Sequence, residues 1–265
     1  RLLPSLLTDA PVPNSVYDSY TSLPTWNKVE LEGYSLTARW DMTDYTSIKY
    51  VGSSRESYSP TNIDFDNTSI QIFDVPAIYD DEQTTHELQL NHQGDNYKLV
   101  SGLYYYDGES CGQFQAILKV LGQALGGPSL TRETGGCSNS TSKAAYIQGS
   151  YDFNEQWSMT LGARYTKDKK EANVYNGLIF DTVYPESDWI PGYTRPEGQL
   201  VPTVLDDEEE WSRFTPRAGV EYQYSNDIMF FASYAQGFKS GTFNPRASTA
   251  EPAANQKSLI HSKSA

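Results

Sequence analysis

Few side chains in this chain have both the type and the spacing for chemistry. Cys111 and Cys137 are its two cysteines. They lie far apart with no histidine nearby, so they lack the ligand set of a zinc site, and an oxidising compartment would pair them. Between them Phe114, Ile117, Leu118, Leu121 and Leu125 fall at helical spacing, and Gly126-Gly127-Pro128 follows. The spacing predicts a short helix over Gln113–Gly127 on an outer loop, stapled by a Cys111–Cys137 disulfide. Closing a loop of about 25 residues stabilises the fold by roughly 3 kcal/mol in the chain-entropy model.

His86 and His92 share the face of Leu88 and Leu90. Six residues of strand separate them by about 20 Å, too far for one metal ion. His86-Glu87 lacks the second histidine of a zinc-protease helix, and the sequence holds no nucleophile elbow, P-loop or dinucleotide fingerprint. Tyr104-Tyr105-Tyr106 suits a carbohydrate or chelate platform, or an interfacial girdle. Acid is concentrated in two stretches. Ser59–Glu82 holds Asp64, Asp66, Asp74, Asp80, Asp81 and Glu82 with no Lys or Arg. Asn176–Glu210 holds nine acids, among them Asp206-Asp207-Glu208-Glu209-Glu210, against Arg195 alone. These sum to −6 and −8, the whole net charge of −14. They read as solvated loops, or as a field for cations and lipopolysaccharide bridging; the contiguous run lacks the alternation and glycine bend of a calcium loop. Asp80, Asp81, Tyr104, Tyr106, Asp206 and Asp207 are therefore the candidate ligand-facing loop residues. No catalytic residue, cofactor or metal ligand is expected, and the chain does not read as an enzyme.

Those groups need elements to position them, and the elements read as strands. Period-2 alternation comes in pairs of runs joined by short polar turns. The pairs are Val29–Met42 with Tyr45–Ser57, Thr84–His92 with Tyr97–Asp107, Lys143–Phe153 with Trp157–Lys169, and Arg213–Tyr224 with Ile228–Lys239. One face carries Trp40, Ile147, Leu161, Val220 and Phe230. The other carries Thr37, Arg39, Gln148, Ser150, Arg164, Arg217 and Glu221. Runs of about 9–14 residues cross a bilayer as tilted strands. The links between pairs run about 25–45 residues through stretches such as Pro60–Pro76 and Pro185–Pro202, longer than compact soluble domains use. Short turns at one end and long loops at the other predict an all-β, antiparallel transmembrane barrel segment of about eight strands in four hairpins. The turns near Asp44, Asp95, Glu155 and Asn226 would face the periplasm, with the long loops outside.

Composition narrows the alternatives. A mean hydropathy of −0.59, with no apolar run near the roughly 18 residues of a spanning helix, excludes a helical membrane protein. A chain of net charge −14 without a basic cluster repels phosphate and is not expected to bind nucleic acid. Its 20 tyrosines suit strands and membrane–water boundaries.

Ala144–Glu171 (AAYIQGSYDFNEQWSMTLGARYTKDKKE) and Phe214–Pro245 (FTPRAGVEYQYSNDIMFFASYAQGFKSGTFNP) closely resemble barrel segments of TonB-dependent outer-membrane receptors. His86–Glu109 and Glu32–Ser53 resemble the same family, so the likeness covers roughly Trp26–Pro245. Family members are barrels of about 22 strands around a plug. The resemblance implies that residues 1–265 are part of a receptor barrel, with strands over about 27–245, an irregular tail over 246–265 and no plug. It implies a bacterial outer-membrane importer of a scarce nutrient: an iron–siderophore complex, haem, cobalamin or a glycan. The implied partners are the plug, an inner-membrane energy-coupling complex, and the lipid and lipopolysaccharide around the barrel. Two other readings stay open: a small closed eight-stranded barrel serving as adhesin or anchor, and a soluble β-rich binding or hydrolytic module.

Overall fold

A computed structural model describes residues 13–24, 26–181 and 200–244. Among these, one antiparallel sheet holds β1 (Trp26–Asn27), β2 (Glu30–Thr43), β3 (Thr46–Asp64), β4 (Asp74–Gln93), β5 (Tyr97–Ile117), β6 (Thr131–Asp152), β7 (Trp157–Ile179), β8 (Leu200–Ser225) and β9 (Ile228–Ala235). Among the described residues the only helix is short, α1 (Lys119–Ala124), and it joins β5 to β6. β1 and β2 both pair with β3, so β1 continues the line of β2 and the sheet has eight strand positions in chain order. β2 and β9 do not pair with each other; among the described residues the sheet is open. The closed eight-stranded barrel predicts that missing pair and is not the observed arrangement.

The turns fall where the polar residues put them. Thr43 pairs with Thr46, Gln93 with Lys98, Asp152 with Ser158 and Ser225 with Ile228. At Asn154 the side chain caps the reversal, accepting hydrogen bonds from the Gln156 and Trp157 amides at 2.9 Å.

The strands are much longer than the alternation predicts: β3 to β8 span 19 to 26 residues. Pro60 pairs with Ile78 inside β3–β4, so Pro60–Asp64 and Asp74–Pro76 are ladder and only Phe65–Phe73 is loop. The acids move with it. Asp80, Asp81 and Glu82 lie within β4, and Asp206–Glu210 within β8. Asp80–Glu82 and Asp206–Glu210 escape the period-2 reading because these runs put acids on both faces, while a neighbouring strand supplies their backbone partners. At the far end of the last pair the correction runs the other way: β9 stops at Ala235, and Gln236–Lys239 is not strand. Most of Pro185–Pro202 and all of 246–265 lie outside the described residues.

The helix over Gln113–Gly127 is also corrected. Gln113–Ile117 finishes β5, in register with Thr131–Gly135 of β6. Only Lys119–Ala124 is helical, six residues long. The apolar spacing fits both periods here, and the long ladder of β6 decides for strand. Gly122 lets α1 press onto the Ser129–Leu130 backbone, since a Cβ there would sit 2.1 Å from the Ser129 carbonyl carbon.

Register fixes two faces. Trp40 opposes Ile48, Ile48 opposes Leu90, Ile147 opposes Ala163 and Leu161 opposes Ala218, all on one apolar face. Those side chains are open: Leu36 is 64% exposed, Trp40 65% and Leu161 51%. Eight residues separate Tyr97 from Tyr105, Trp157 from Tyr165 and Phe214 from Tyr222 on that face. Eight residues of strand cover about 26 Å, the height of an apolar membrane band between aromatic girdles. The inner girdle is in contact: Trp157 stacks on Tyr222 with centroids 4.4 Å apart, and Tyr224 meets Phe230 edge-on at 6.5 Å. The buried residues gather instead beyond the outer girdle, around Val75, Ile78, Ile117, Leu130 and Ile179.

Candidate functional site

Cys111 and Cys137 face each other directly in the β5–β6 register and are bonded. The disulfide therefore ties two neighbouring strands, where a loop staple was expected. It lies on the side of the sheet that carries Ile78 and Tyr58, which pack against it.

Above the outer girdle, register also separates the candidate residues. Tyr104, Tyr106, Asp81 and Asp207 stand on the polar face; Tyr105, Asp80 and Asp206 stand on the opposite one. On the outer side the acids of β8 pair with lysines of β7. Lys167 reaches Glu210 at 2.8 Å, while Lys169 reaches Glu208 at 2.9 Å and also pairs with Glu171. Glu171 and Glu208 hold the Lys169 ammonium above its ordinary value. Glu208 and Glu210 of the acidic run thus belong to a charge-paired wall and not to a loop field.

The polar face is built from short donors and acceptors with aromatic inserts. Tyr146 donates its hydroxyl to Glu87 at 2.6 Å, and the Arg164 guanidinium lies 5.4 Å from the Tyr104 ring centroid and 5.9 Å from that of Tyr146. Ser150 and Thr160 share a bond of 2.8 Å across β6–β7, as Ser53 and Thr85 do at 2.7 Å across β3–β4. Further out, the same face encloses a cavity of about 400 Å³. β3 contributes Arg55 and Ser57, β4 Asp81 and Gln83, β5 Tyr106 and Ser110, β6 Ser138 and Ser140, and β7 Lys170. Gly108 keeps this wall open, for a Cβ there would meet the Tyr106 hydroxyl at 2.4 Å. Ser57 and Ser110 donate to the two oxygens of Asp81, so its charge is engaged within the wall.

A segment past β9 covers this cavity. Gln236 makes the last ladder bond, from its amide to the Pro216 carbonyl at 3.0 Å. The chain then leaves the sheet edge. Gly241 lies against the Trp211 ring, Thr242 lines the cavity, and Phe243 is buried on Ala172 and Leu205. Of the candidate residues, the structure brings Asp81 and Tyr106 together and places Tyr104 one step lower on the same face. Arg55, Lys170 and Thr242 were not singled out by sequence. Arg55 and Lys170 carry one usable signal: each shares its parity with a hydroxyl row, and the covering segment carries none.

Three carboxylates also converge on the β3–β4 loop, where Asp64, Asp66 and Asp74 offer oxygens within 4.8 Å of one another. Each is engaged. Asp64 takes the Ser22, Asp66 and Asn67 amides, Asp66 takes the Phe73 amide, and Asp74 takes the Ser22 hydroxyl. Burial pushes the Asp74 carboxyl up; hydrogen bonds from Gln71 and Ser22 oppose that, and Asp64 and Asp66 add to it. Burial also acts on Asp64, but its hydrogen bonds outweigh it and hold that carboxyl low.

Comparison with known proteins agrees with this architecture. The family described as TonB dependent receptor-like, beta-barrel, matches residues 4–260. No curated protein matches the chain. Among solved structures, the ferric yersiniabactin uptake receptor FyuA from Yersinia pestis is similar over 85% of this chain and 31% of its own, at 13% identity and a TM-score of 0.66. The ferric-catecholate import receptor Fiu from Escherichia coli, in its open form, is similar over 88% and 39%, at 10% identity and a TM-score of 0.55. The chain thus spans between three and four tenths of the length of these receptors. An open sheet of long antiparallel strands, apolar on one face and polar on the other, fits such a part of a larger wall. The chain belongs to the TonB-dependent receptor-like β-barrel family.

Proposed function

We propose that this chain is part of the barrel wall of an outer-membrane receptor that imports a scarce nutrient. The observation that carries the reading is the two-faced sheet: a band of exposed apolar residues between aromatic girdles on one side, hydroxyls, amides and charges on the other. Such a wall meets lipid outside and encloses a polar lumen. Family membership supports it, as do the similar structures, a ferric yersiniabactin uptake receptor and a ferric-catecholate import receptor.

In this reading the turns near Asp44, Asp95, Glu155 and Asn226 face the periplasm, and the long extensions of β3–β8 face outside, where lipopolysaccharide surrounds them. Arg164, Glu87 and Arg217 on the polar face contact a plug, and an inner-membrane energy complex moves that plug. Asp81, Tyr104, Tyr106 and Asp207 face arriving ligand; Asp80 and Asp206 face the surroundings. The nutrient is an iron chelate, haem, cobalamin or a glycan. The wall itself carries out no bond chemistry.

The test is uptake by cells carrying the complete receptor, measured for ferric chelates, haem, cobalamin and glycans with and without the energy-coupling complex. Accumulation of one nutrient that stops when coupling is removed is the expected result. Accumulation that persists unchanged without coupling overturns the reading.

A further inference from the structure

The apolar side of the sheet keeps its cations in one place. Of the lysines and arginines on the described strands, only Lys143, Lys167 and Lys169 stand on that side; register puts every arginine on the polar face. Lys143 and Lys167 oppose each other across β6–β7, and Lys169 stands one step further out on β7. They sit at the rim of the apolar band, level with His86 and Tyr105. The step below carries Leu88, Leu103, Ala145 and Tyr165. Directly opposed like charges repel, and both ammoniums are exposed. Lys167 offsets this with Glu210 at 2.8 Å. Lys143 makes no ion pair among the described residues; its ammonium lies 5.7 Å from the Tyr105 ring centroid. Asp107, one step out on β5, already takes the Tyr105 hydroxyl at 2.8 Å. Four residues beyond the lysine row, about 13 Å along the strands, the same side turns acidic. There Glu32, Glu56, Glu82 and Glu109 oppose one another in succession, as Glu171 and Glu208 do. An anion is therefore attracted at one height, where the apolar band ends, and repelled further out. A lipid carries its phosphate at that height, with its chains along the band below.

We propose that Lys143 and Lys167, beside Tyr105, bind the phosphate of a lipid headgroup in the surrounding leaflet. This rests on the wall reading above, in which this face meets lipid, and names one defined contact within it. The phosphate bridges the two ammoniums and replaces their repulsion with charge-assisted hydrogen bonds. The acyl chains lie along Leu103, Leu88 and Ala145, and the glutamate row keeps the headgroup from riding outward.

The test uses the complete receptor in phosphatidylcholine vesicles, titrated with diphosphoryl lipid A, with the same lipid after enzymatic removal of its phosphates, and with inorganic phosphate. Bound lipid is counted by native mass spectrometry, and heat-modifiable electrophoretic mobility checks that each variant is folded. Lys143→Ala should weaken binding of the phosphorylated lipid by about fivefold, the scale of one lysine at an anionic surface. Replacing both lysines should weaken it more than either change alone, and Lys143→Arg should keep it. Glu210→Gln releases Lys167 and should tighten binding by about twofold, the scale of one exposed ion pair. The dephosphorylated lipid should bind weakly and respond to none of these changes. Unaltered binding in the double alanine variant, equal binding of the two lipids, or displacement of the lipid by an equal concentration of inorganic phosphate overturns the proposal. A receptor that fails to insert into the vesicles would instead remove the wall reading beneath it.

Discussion

The membrane belt and the outer extension of the same strands are held together differently. In the belt, between Tyr97 and Tyr105 on β5 and their counterparts, the apolar side chains point away from the polypeptide. Leu103 is 61% exposed and Leu161 51%. In the proposed setting lipid covers them, and the strands are joined by the backbone ladder and by polar-face bonds such as Tyr146–Glu87 and Ser150–Thr160. In the outer extension, Ile117 is fully buried, Val75 is 1% exposed and Glu133 is closed in by Gln113, Gln115 and Tyr175. There the protein supplies its own interior, a cross-strand disulfide and ion pairs. One set of strands passes from a region that needs a membrane to a region that behaves like a soluble domain. The difference teaches that exposure of a hydrophobe in this chain marks its solvent, not a defect of packing.

Charge insertion separates the two regions most sharply. Leu161 sits mid-belt, opposite Ala218 and Gly149, whereas Phe230 lies lower, opposite Tyr222 in the inner girdle. Leu161→Arg should therefore destabilise the barrel by about 2–4 kcal/mol, and Gln148→Arg at similar height on the polar face by much less. Denaturant unfolding in lipid vesicles checks this; equal costs would mean the two faces do not differ in solvent.

The disulfide tests the outer region next. Replacing both Cys111 and Cys137 with Ser should cost at most about 3 kcal/mol. Hydrogen exchange should quicken only at the outer ends of β5 and β6, because the ladder continues below residue 108 without the bond. Faster exchange in the belt would show that the two regions form one cooperative unit.

A smaller effect is expected from pH at the β3–β4 loop. Asp74 is held above its ordinary value, so its contribution is present below about pH 3.9 and is lost as pH rises through its raised folded value. Asp64 is held low, so its contribution is present above about pH 3.9 and is lost as pH falls through its depressed folded value. Proteolysis of Phe65–Phe73 should accordingly slow on mild acidification and quicken again in strong acid. Asp74→Asn should abolish the first phase and keep the second; a profile unchanged by that substitution would refute the assignment. The smallest effect belongs to Lys169→Met. Its ion pairs are solvent-exposed, so thermal unfolding should not shift measurably.

Legibility in the sequence follows the same division. In the belt, alternation is enforced by two unlike solvents, so Trp40, Ile147 and Leu161 announce their face and Thr37, Gln148 and Arg164 theirs. The turns were legible because Asn154, Asp95 and Asn226 interrupt that alternation with residues suited to reversals. Family likeness was legible in the same hairpins, where the alternation is strongest. Beyond the outer girdle both faces meet water or protein, and the pattern vanishes. Hence Asp206–Glu210 reads as a loop until Lys167 and Lys169 are seen across from it, and Gln113–Ile117 reads as helix until β6 claims its backbone.

The sequence by itself determined that strands come in hairpins, that one face is apolar, and that two cysteines are available to pair. Tertiary structure alone decided that Cys111 and Cys137 stand opposite in register, that Asp80 and Asp81 serve different faces, and that Arg55 and Lys170, far apart in the chain, share one cavity under Thr242. The physical reason is range. Alternation and turns arise from a residue's near neighbours and its solvent, whereas register, strand length and a shared cavity depend on which other strand lies alongside.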